Sequence, residues 1–373
     1  MKKFFAILLC LCMVFALVAC NTPDADDKDE NKETEAPATD DTAAAEAEYK
    51  LGMGIVVSTD SSASATAEKA GTAQIDATVA AVVLDKDGKI VVCRIDSVQN
   101  KIGVNADGTI TMPEKFLTKM ELGDNYNMAK YGASMDWNKD GVVKEWYDQA
   151  KAFETFVVGK TAAEVEAMGT QTLDNGYVIS SDDALLSAGC TIQITEFKAA
   201  VAKACKDEQG MSFKTASAFT LGVAAKSAND ASKDAEVVQV YSDFAASVVA
   251  DGKIIATLND AIQPKIAINA AGEIGETKYT DTKRCLKEDY NMAKFGAAMD
   301  PNNDGKVLEW YLQSEAFSKH VVGMTGAEVA AMTTATNSIG YQMTTDADLL
   351  AAGCTIQITA ITAVVAQSAA NAR

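Results

Sequence analysis

The chain has a single histidine, His320, among its 373 residues. Zinc sites built on histidine ligands need several imidazoles, and a hydrolytic triad would have to use this one residue, so neither is expected. No Cys-x-x-Cys pair occurs, which argues against a zinc ribbon and a thioredoxin-like site. The glycines follow neither the Walker nor the Rossmann spacing, so a nucleotide-phosphate loop is not indicated either.

Positive charge is also scarce, because 33 Lys and Arg face 52 Asp and Glu and leave a formal net charge of −19. Nucleic acid and anionic lipid surfaces both repel such an acidic chain, so neither is an expected partner. Hydrophobic residues nevertheless make up 48% of the chain, which indicates packed cores. The length is enough for two domains.

The apolar run nearest the N-terminus is too short to cross a bilayer. Residues 4–18 carry no charge, but a transmembrane helix needs roughly 20 apolar residues. Lys2 and Lys3 precede the run and a small residue, Ala19, follows it, which is the layout of a secretory signal peptide. We therefore expect an exported protein.

The end of this run, Leu-Val-Ala-Cys at 17–20, resembles a bacterial lipobox. The resemblance implies that residues 1–19 are removed, that the Cys20 thiol is lipidated, and that the lipid holds the chain on the extracytoplasmic face of the cell membrane. The alternative is an ordinary signal peptide that happens to end near a cysteine. Residues 20–48 hold the lipidated cysteine and an acidic linker. This linker has too few apolar side chains to offset chain entropy, so we expect it to be disordered.

Five cysteines follow Cys20, and an odd number does not suggest a disulfide framework. A chain of this length also has enough apolar residues to fold without one. We expect most of these five side chains to be buried as small apolar groups: Cys93, Cys190, Cys205, Cys285 and Cys354.

The sequence after the linker is a tandem repeat. A shift of 164 residues superimposes Asp-Gly-Lys-Ile at 87–90 on the same letters at 251–254. The same shift superimposes Ala-Gly-Cys-Thr-Ile-Gln-Ile-Thr at 188–195 on residues 352–359. Each copy is about 150 residues long, which is the size of a domain and not of a solenoid unit.

We expect two tandem homologous domains of the α+β class, each an antiparallel sheet followed by helices. The first, repeat 1, covers residues 49–207 and the second, repeat 2, covers residues 217–373. In repeat 1, the β-forming residues 75–84 and 89–96 flank a turn that ends at Gly88, so they predict a hairpin.

After these strands the apolar period changes to that of a helix. Apolar residues at spacings of four, three and four predict a helix with one buried face: Trp146, Ala150, Phe153 and Val157. Thr161 and Glu164 have the spacing of a capping box, which predicts a short second helix. Residues 195–204 predict the closing helix of the repeat.

One pattern in each repeat suggests a metal. Residues 136–145 and 300–309 both read D-x-N-x-D-G-x-V-x-E, with oxygen ligands at alternate positions before a turning glycine. Such oxygens can converge on Ca²⁺. The candidate ligands are Asp136, Asn138, Asp140, the Val142 carbonyl and Glu145 in repeat 1, and Asp300, Asn302, Asp304, the Lys306 carbonyl and Glu309 in repeat 2.

This pattern resembles the first half of an EF-hand loop. A tyrosine, Tyr147 or Tyr311, stands where an EF-hand has its last glutamate, so the spacing is closer to the short extracellular calcium loop of the excalibur type. The resemblance implies a weak structural calcium site that fixes the start of the following helix. The alternative is an ordinary turn and helix N-cap, which use the same residue types.

The folded part also resembles the duplicated surface lipoproteins of Firmicutes. The resemblance rests on Asp-Gly-Lys-Ile at 87–90 and on Lys-Glu-Trp-Tyr-Asp-Gln at 144–149. The hairpin is similar to that of exported FMN-binding lipoproteins, but residues 60–66 carry Ala63 where the hydroxyl that bears the flavin belongs. Trp146 and Trp310, each followed by a tyrosine, are either core residues or platforms for a sugar or flavin.

Two functions of different class follow from these observations. The first is a membrane-anchored binding or interaction module for a protein or small-molecule ligand, with structural calcium in each repeat. The second is a redox lipoprotein that holds FMN without a covalent bond and acts in extracellular electron transfer. No set of acid, base and nucleophile stands out, so no enzymatic activity is assigned.

Overall fold

The computed structural model describes residues 46–128, 130, 142–229, 237–294, 300, 307–337 and 340–373. Cys20, the predicted signal peptide and nearly all of the acidic linker lie outside this part of the chain. Residues Ala45–Arg373 form one compact unit. Within the described residues, the longest helices fall short of the length and apolar character that a membrane span requires.

The first sheet contains the strands of repeat 1 and one strand that follows it. All neighbours are antiparallel, in the order β4-β3-β2-β1-β7. The strands are β1 (Ala47–Ser58), β2 (Gly71–Leu84), β3 (Ile90–Val104), β4 (Ile110–Thr111) and β7 (Met211–Thr215). Since β7 lies between the two predicted domains and pairs with β1, the segment that connects the repeats belongs to the sheet of repeat 1.

The second sheet belongs to repeat 2 and is also antiparallel. Its strands follow the order β10-β9-β11-β12, and β8 also pairs with β9. They are β8 (Thr220–Asn229), β9 (Val237–Ala250), β10 (Lys253–Ile262), β11 (Lys265–Ile268) and β12 (Ile274–Lys278). Each repeat adds a small hairpin, formed by β5 (Thr170–Thr172) and β6 (Val178–Ser180) or by β13 (Thr334–Thr336) and β14 (Gln342–Thr344).

Ten short helices complete the described fold, and each in repeat 1 recurs in repeat 2. Those of repeat 1 are α1 (Lys119–Leu122), α2 (Trp146–Phe156), α3 (Ala162–Glu166), α4 (Asp183–Ser187) and α5 (Thr195–Cys205). Those of repeat 2 are α6 (Lys283–Leu286), α7 (Trp310–His320), α8 (Gly326–Ala330), α9 (Ala347–Ala351) and α10 (Thr359–Ala370). The predicted α+β class, the helix that begins at Trp146 and the capping box of Thr161 and Glu164 are confirmed.

Two sheets and two helical layers are stacked around three cores. On β2, Val79 and Val83 face a central core that also contains Phe244 of β9. Their neighbours Ala80 and Val82 face a second core, formed with α2 and α5. A third core lies between the second sheet and the two helices α7 and α10. Since β2 is covered on both faces, its second half, residues 79–84, is an unbroken apolar run and not an alternating one.

Glycines bring the closing helix of each repeat against its sheet. A Cβ atom on Gly52 of β1 would lie 2.1 Å from the backbone oxygen of Ala204 in α5. A Cβ atom on Gly222 of β8 would lie 2.0 Å from the backbone oxygen of Ser368 in α10. The two positions require glycine for the same reason, so the two repeats pack their last helices alike.

Polar contacts also join the repeats. Arg284 Nη2 of α6 donates to both carboxylate oxygens of Asp207, at 3.2 Å each, and this ion pair is about nine-tenths buried. At the other end of the unit, Arg373 Nη2 lies 3.3 Å from Glu154 Oε2. Each contact links the end of one repeat's last helix to the other repeat.

Candidate functional site

Most of the candidate calcium ligands lie outside the described residues. This holds for Asp136, Asn138, Asp140, Asn302, Asp304 and Lys306. Val142, Glu145, Asp300 and Glu309 are described. Among the described residues, no group of three or more His, Cys, Asp or Glu side chains converges on a metal position. The calcium sites therefore stay predictions.

The two glutamates at the end of these loops have the same structural role. Glu145 directly precedes α2, and its Oε2 accepts a hydrogen bond from the Met128 N–H at 2.9 Å. Glu309 directly precedes α7, and its Oε2 accepts from the Met292 N–H at 2.9 Å. Each carboxylate thus ties the segment before the loop to the helix after it.

The two tryptophans after these glutamates are buried, as a core position would require. Trp146 is 2% exposed and Trp310 is 4% exposed. One face of each nevertheless meets a lysine ammonium, at 5.4 Å for Lys119 and 5.3 Å for Lys283. The flavin-like segment at residues 60–66 is mostly exposed but contacts repeat 2, where Ser64 Oγ accepts a hydrogen bond from the Ile274 N–H at 2.9 Å.

A cavity of about 820 Å³ opens where the two repeats meet. We call it the junction groove. It lies between β7, β10 and α7, and its walls combine apolar and polar side chains, as in many ligand sites. The residues that line it and enter the following argument are Ser212, Lys214, Lys253, Asn259, Ser314 and Ser318.

The outer edge of β7 faces the junction groove. The Met53 N–H points to the β7 side of β1, where it donates to a carboxylate at 3.1 Å. Odd-numbered residues of β1 therefore bond β7, through their register partners Met211 and Phe213. Ser212 and Lys214 then direct their backbone N–H and C=O groups away from β1, towards the groove. Since β7 pairs only with β1 in the described sheets, this edge has no neighbouring strand.

The edge of β10 faces the same groove. The backbone oxygen of Asn259 accepts a hydrogen bond from Ser314 Oγ of α7 at 2.9 Å, so this residue points its main chain away from β9. Its N–H points the same way, towards the groove. Asn259 is 2% exposed. A backbone N–H at such a buried position needs a hydrogen-bond acceptor.

The equivalent N–H in repeat 1 has a partner. Ile95 occupies the position of Asn259, and its N–H donates to Glu154 Oε1 at 2.8 Å. Burial raises the pKa of Glu154, while Arg373 and Arg94 oppose that shift. In repeat 2 the position of Glu154 is taken by Ser318, which is too short to place a carboxylate there. The junction groove thus lacks the oxygen that repeat 1 supplies.

The rim of the junction groove carries more positive than negative charge, in contrast to the chain as a whole. Its cations are Lys214, Lys253, Arg284 and Lys319, and its carboxylates are Asp251 and Glu315. Arg284 is neutralised by Asp207 and Lys319 by Glu315 at 2.5 Å. Lys253 forms no ion pair with a described residue, and Lys214 has only a distant contact, 3.9 Å from Glu48. The groove therefore favours an acidic ligand.

The junction groove does not follow from any of the sequence patterns described above. The sequence does contain one indication of the groove, which appears when the two repeats are aligned. Glu154 aligns with Ser318, and Arg94 aligns with Leu258. At these two positions a charged residue of repeat 1 is matched by a neutral residue of repeat 2. Comparison of the chain with protein-family models, with curated proteins and with solved structures gives no significant match, so its function has to be inferred from its own residues.

Proposed function

We propose that the chain is a lipid-anchored, extracytoplasmic binding protein, built of two homologous domains, that holds an extended acidic segment of a partner protein in the junction groove. The observation that carries this proposal is the unpaired edge of β7, which faces the groove beside the outward-pointing main chain of Asn259. The lipid on Cys20 and the two-domain organisation come from the sequence. Together they would place the groove on the extracytoplasmic side of the cell membrane.

An extended peptide suits these groups because a strand offers N–H and C=O groups at regular intervals along its side. Strand addition to an exposed sheet edge is a common way to recognise peptides, and it relies on main-chain hydrogen bonds. A peptide carbonyl or carboxylate would accept from the Asn259 N–H, and the rest of its main chain would bond Ser212 and Lys214. Acidic side chains of the peptide would meet Lys253 and Lys214 at the rim.

The predicted calcium loops have a supporting role in this proposal. Each precedes the helix that forms one wall of a repeat, and the helix of repeat 2, α7, contributes Ser314 and Ser318 to the groove. A Ca²⁺ ion in the loop of residues 300–309 would fix the start of that helix. Binding of the partner would then be tighter in the presence of Ca²⁺.

The proposal is tested by fluorescence anisotropy with a labelled peptide of alternating glutamate and valine, long enough to span β7. A peptide of alternating lysine and valine serves as the control ligand. Ser212→Pro removes one N–H from the outer edge of β7 and leaves the ladder with β1 intact. Since one hydrogen bond contributes about 1 kcal/mol, we expect a roughly fivefold loss of affinity.

Ser318→Glu tests the role of the Asn259 N–H directly. The new carboxylate can reach the place that Glu154 occupies in repeat 1, so it should satisfy Asn259 and prevent peptide binding. Ser318→Ala, which keeps the groove open, is the matched control and should bind normally. Equal affinity for both peptides, or normal binding by Ser318→Glu, would contradict the proposal. Melting temperatures establish that each variant is folded.

A further inference from the structure

Three neutral polar residues of repeat 2 line the junction groove where it meets α7, and we call this part of the groove its floor. They are Asn259, Ser314 and Ser318, and each is 2% exposed. Asn259 Nδ2 donates to the Ser314 backbone oxygen at 3.2 Å and to Ser318 Oγ at 2.9 Å. Ser314 Oγ donates back to Asn259 Oδ1 at 2.9 Å. Because the Ser318 oxygen accepts from Asn259, its hydroxyl hydrogen can be donated to a group in the groove.

The equivalent place in repeat 1 holds charged groups. The position of Ser318 is occupied there by Glu154, which is buried. Glu154 Oε1 accepts a hydrogen bond from the Ile95 N–H at 2.8 Å. Its Oε2 lies 3.7 Å from Arg94 Nη1 and 3.3 Å from Arg373 Nη2. The buried carboxylate of repeat 1 therefore has two cations beside it, as a buried charge requires.

The floor of the junction groove lacks both the acid and the two arginines. The shift of 164 residues places Ser318, Leu258 and Gln209 at their positions, and all three line the groove. Arg284 also lines the groove, but its charge is neutralised by Asp207. A carboxylate on the floor would lose its hydration without gaining the cations that it has in repeat 1, whereas a neutral polar group would keep its hydrogen bonds at a smaller cost.

We propose that the floor of the junction groove selects a carboxamide, the side chain of a glutamine or asparagine within the acidic segment that the groove binds. This inference rests on the proposed function and names the residue that the bound segment places on the floor. A carboxamide offers both an acceptor oxygen and donor hydrogens, whereas a carboxylate offers only acceptors. The carboxamide oxygen would accept from the Ser318 hydroxyl and the Asn259 N–H, and its NH₂ group would donate to a backbone oxygen of the floor.

Alternation along the bound strand makes the two preferences compatible. Successive side chains of an extended segment point to opposite sides. The acidic side chains would therefore reach Lys214 and Lys253 at the rim, while the residue between two of them would reach the floor. The expected ligand is an acidic segment with one buried glutamine or asparagine.

The inference is tested with the labelled glutamate–valine peptide in which one central valine is replaced by glutamine, glutamate or leucine. Glutamine and glutamate have the same shape, so this pair isolates the charge and the donor hydrogens. We expect the glutamine peptide to bind about tenfold more tightly than the other two, because only glutamine makes hydrogen bonds on the floor without a buried charge. Ser318→Ala should still bind the valine peptide but should lose part of the gain from glutamine.

Leu258→Arg restores the cation that repeat 1 has at this position. This variant should reverse the preference, so that the glutamate peptide binds more tightly than the glutamine peptide. Val158→Arg is the matched control, because it adds the same charge at an exposed position of repeat 1, and it should keep the preference for glutamine. The three peptides are compared first on the natural protein, so the test does not depend on the folding of Leu258→Arg.

The outcomes separate this inference from the proposed function. If the valine peptide binds but glutamine gives no gain over leucine, or if glutamate binds as tightly as glutamine, the selection of a carboxamide is overturned and the proposed function stands. A folded Leu258→Arg variant that still prefers glutamine would also overturn it. If none of the peptides binds, the proposed function and this inference are overturned together.

Discussion

Asp96 on β3 should make the protein less stable as the pH rises towards neutrality. This residue is 3% exposed, and its carboxyl accepts hydrogen bonds from the Ser97 N–H at 2.7 Å and the Met120 N–H at 3.2 Å. Burial nevertheless dominates and raises its pKa from 3.8 to about 7. At pH values between 3.8 and about 7, the Asp96 carboxyl keeps its proton in the folded state but has lost it in the unfolded state. Stability from this group is therefore complete below the unfolded pKa and is lost as the pH rises through the folded pKa.

The size of the effect follows from the shift. A difference of about 3 pKa units corresponds to about 4 kcal/mol, and we regard this as an upper limit. Asp96→Asn keeps an oxygen for the two N–H donors and removes the charge. We therefore expect the variant and the natural protein to have similar free energies of unfolding near pH 4, and the variant to be the more stable by several kcal/mol near pH 8.

Urea unfolding at a series of pH values measures this difference. Subtracting the free energy of the natural protein from that of Asp96→Asn at each pH cancels the contributions of other titrating groups. Asp260→Asn is the control in repeat 2, because Arg284 lies near Asp260 and opposes the effect of burial on its pKa. A difference between Asp96→Asn and the natural protein that is the same at all pH values would refute the reasoning.

Three further changes have defined outcomes. Arg284→Met leaves Asp207 buried without its cation, so urea unfolding should show a loss of about 3–5 kcal/mol, and neutralising both residues should restore part of it. Gly52→Ala places a methyl group 2.1 Å from a backbone oxygen of α5, so the melting temperature should fall clearly. Asp140→Ala combined with Asp304→Ala should abolish any Ca²⁺-dependent rise in melting temperature. If the natural protein itself shows no such rise up to ~10 mM Ca²⁺, the loops do not bind calcium in the proposed way.

The parts of the fold that the sequence predicted depend on local signals. The helix at Trp146 was predictable because its apolar residues recur at helical spacing over three turns. The capping box of Thr161 and Glu164 needs only four consecutive residues, and both of its hydrogen bonds are present. The hairpin around Gly88 follows from a short turn between two β-forming runs. In each case the residues that determine the structure are close together in the chain.

The arrangement of the two repeats depends on contacts that are distant in the sequence. Leu51 of β1 pairs with Met211 of β7, far along the chain, and no local pattern marks the two as partners. The second half of β2 also does not alternate between apolar and polar residues. The reason is that the second sheet covers the face that would carry polar residues if it were exposed to solvent. The central core around Phe244 arises only when both repeats are folded against each other.

The junction groove was missed for a related reason. Its decisive feature is a backbone N–H, that of Asn259, and a backbone group has no signature in the sequence. The comparison of the repeats does show that Glu154 has become Ser318, but the consequence is visible only once Ile95 is seen to bond that glutamate. The comparison of repeat 1 with repeat 2 therefore reveals which group repeat 2 lacks.

The most direct measurement is hydrogen exchange, followed by NMR, of the backbone amides of β7 with and without the acidic peptide. Strand addition in the junction groove predicts that Ser212 and Lys214 exchange rapidly in the free protein and become protected when the peptide binds. Met211 and Phe213, which already bond β1, should change little. The Asn259 amide should also gain protection. Peptide binding that leaves Ser212 and Lys214 unprotected would contradict strand addition at this edge.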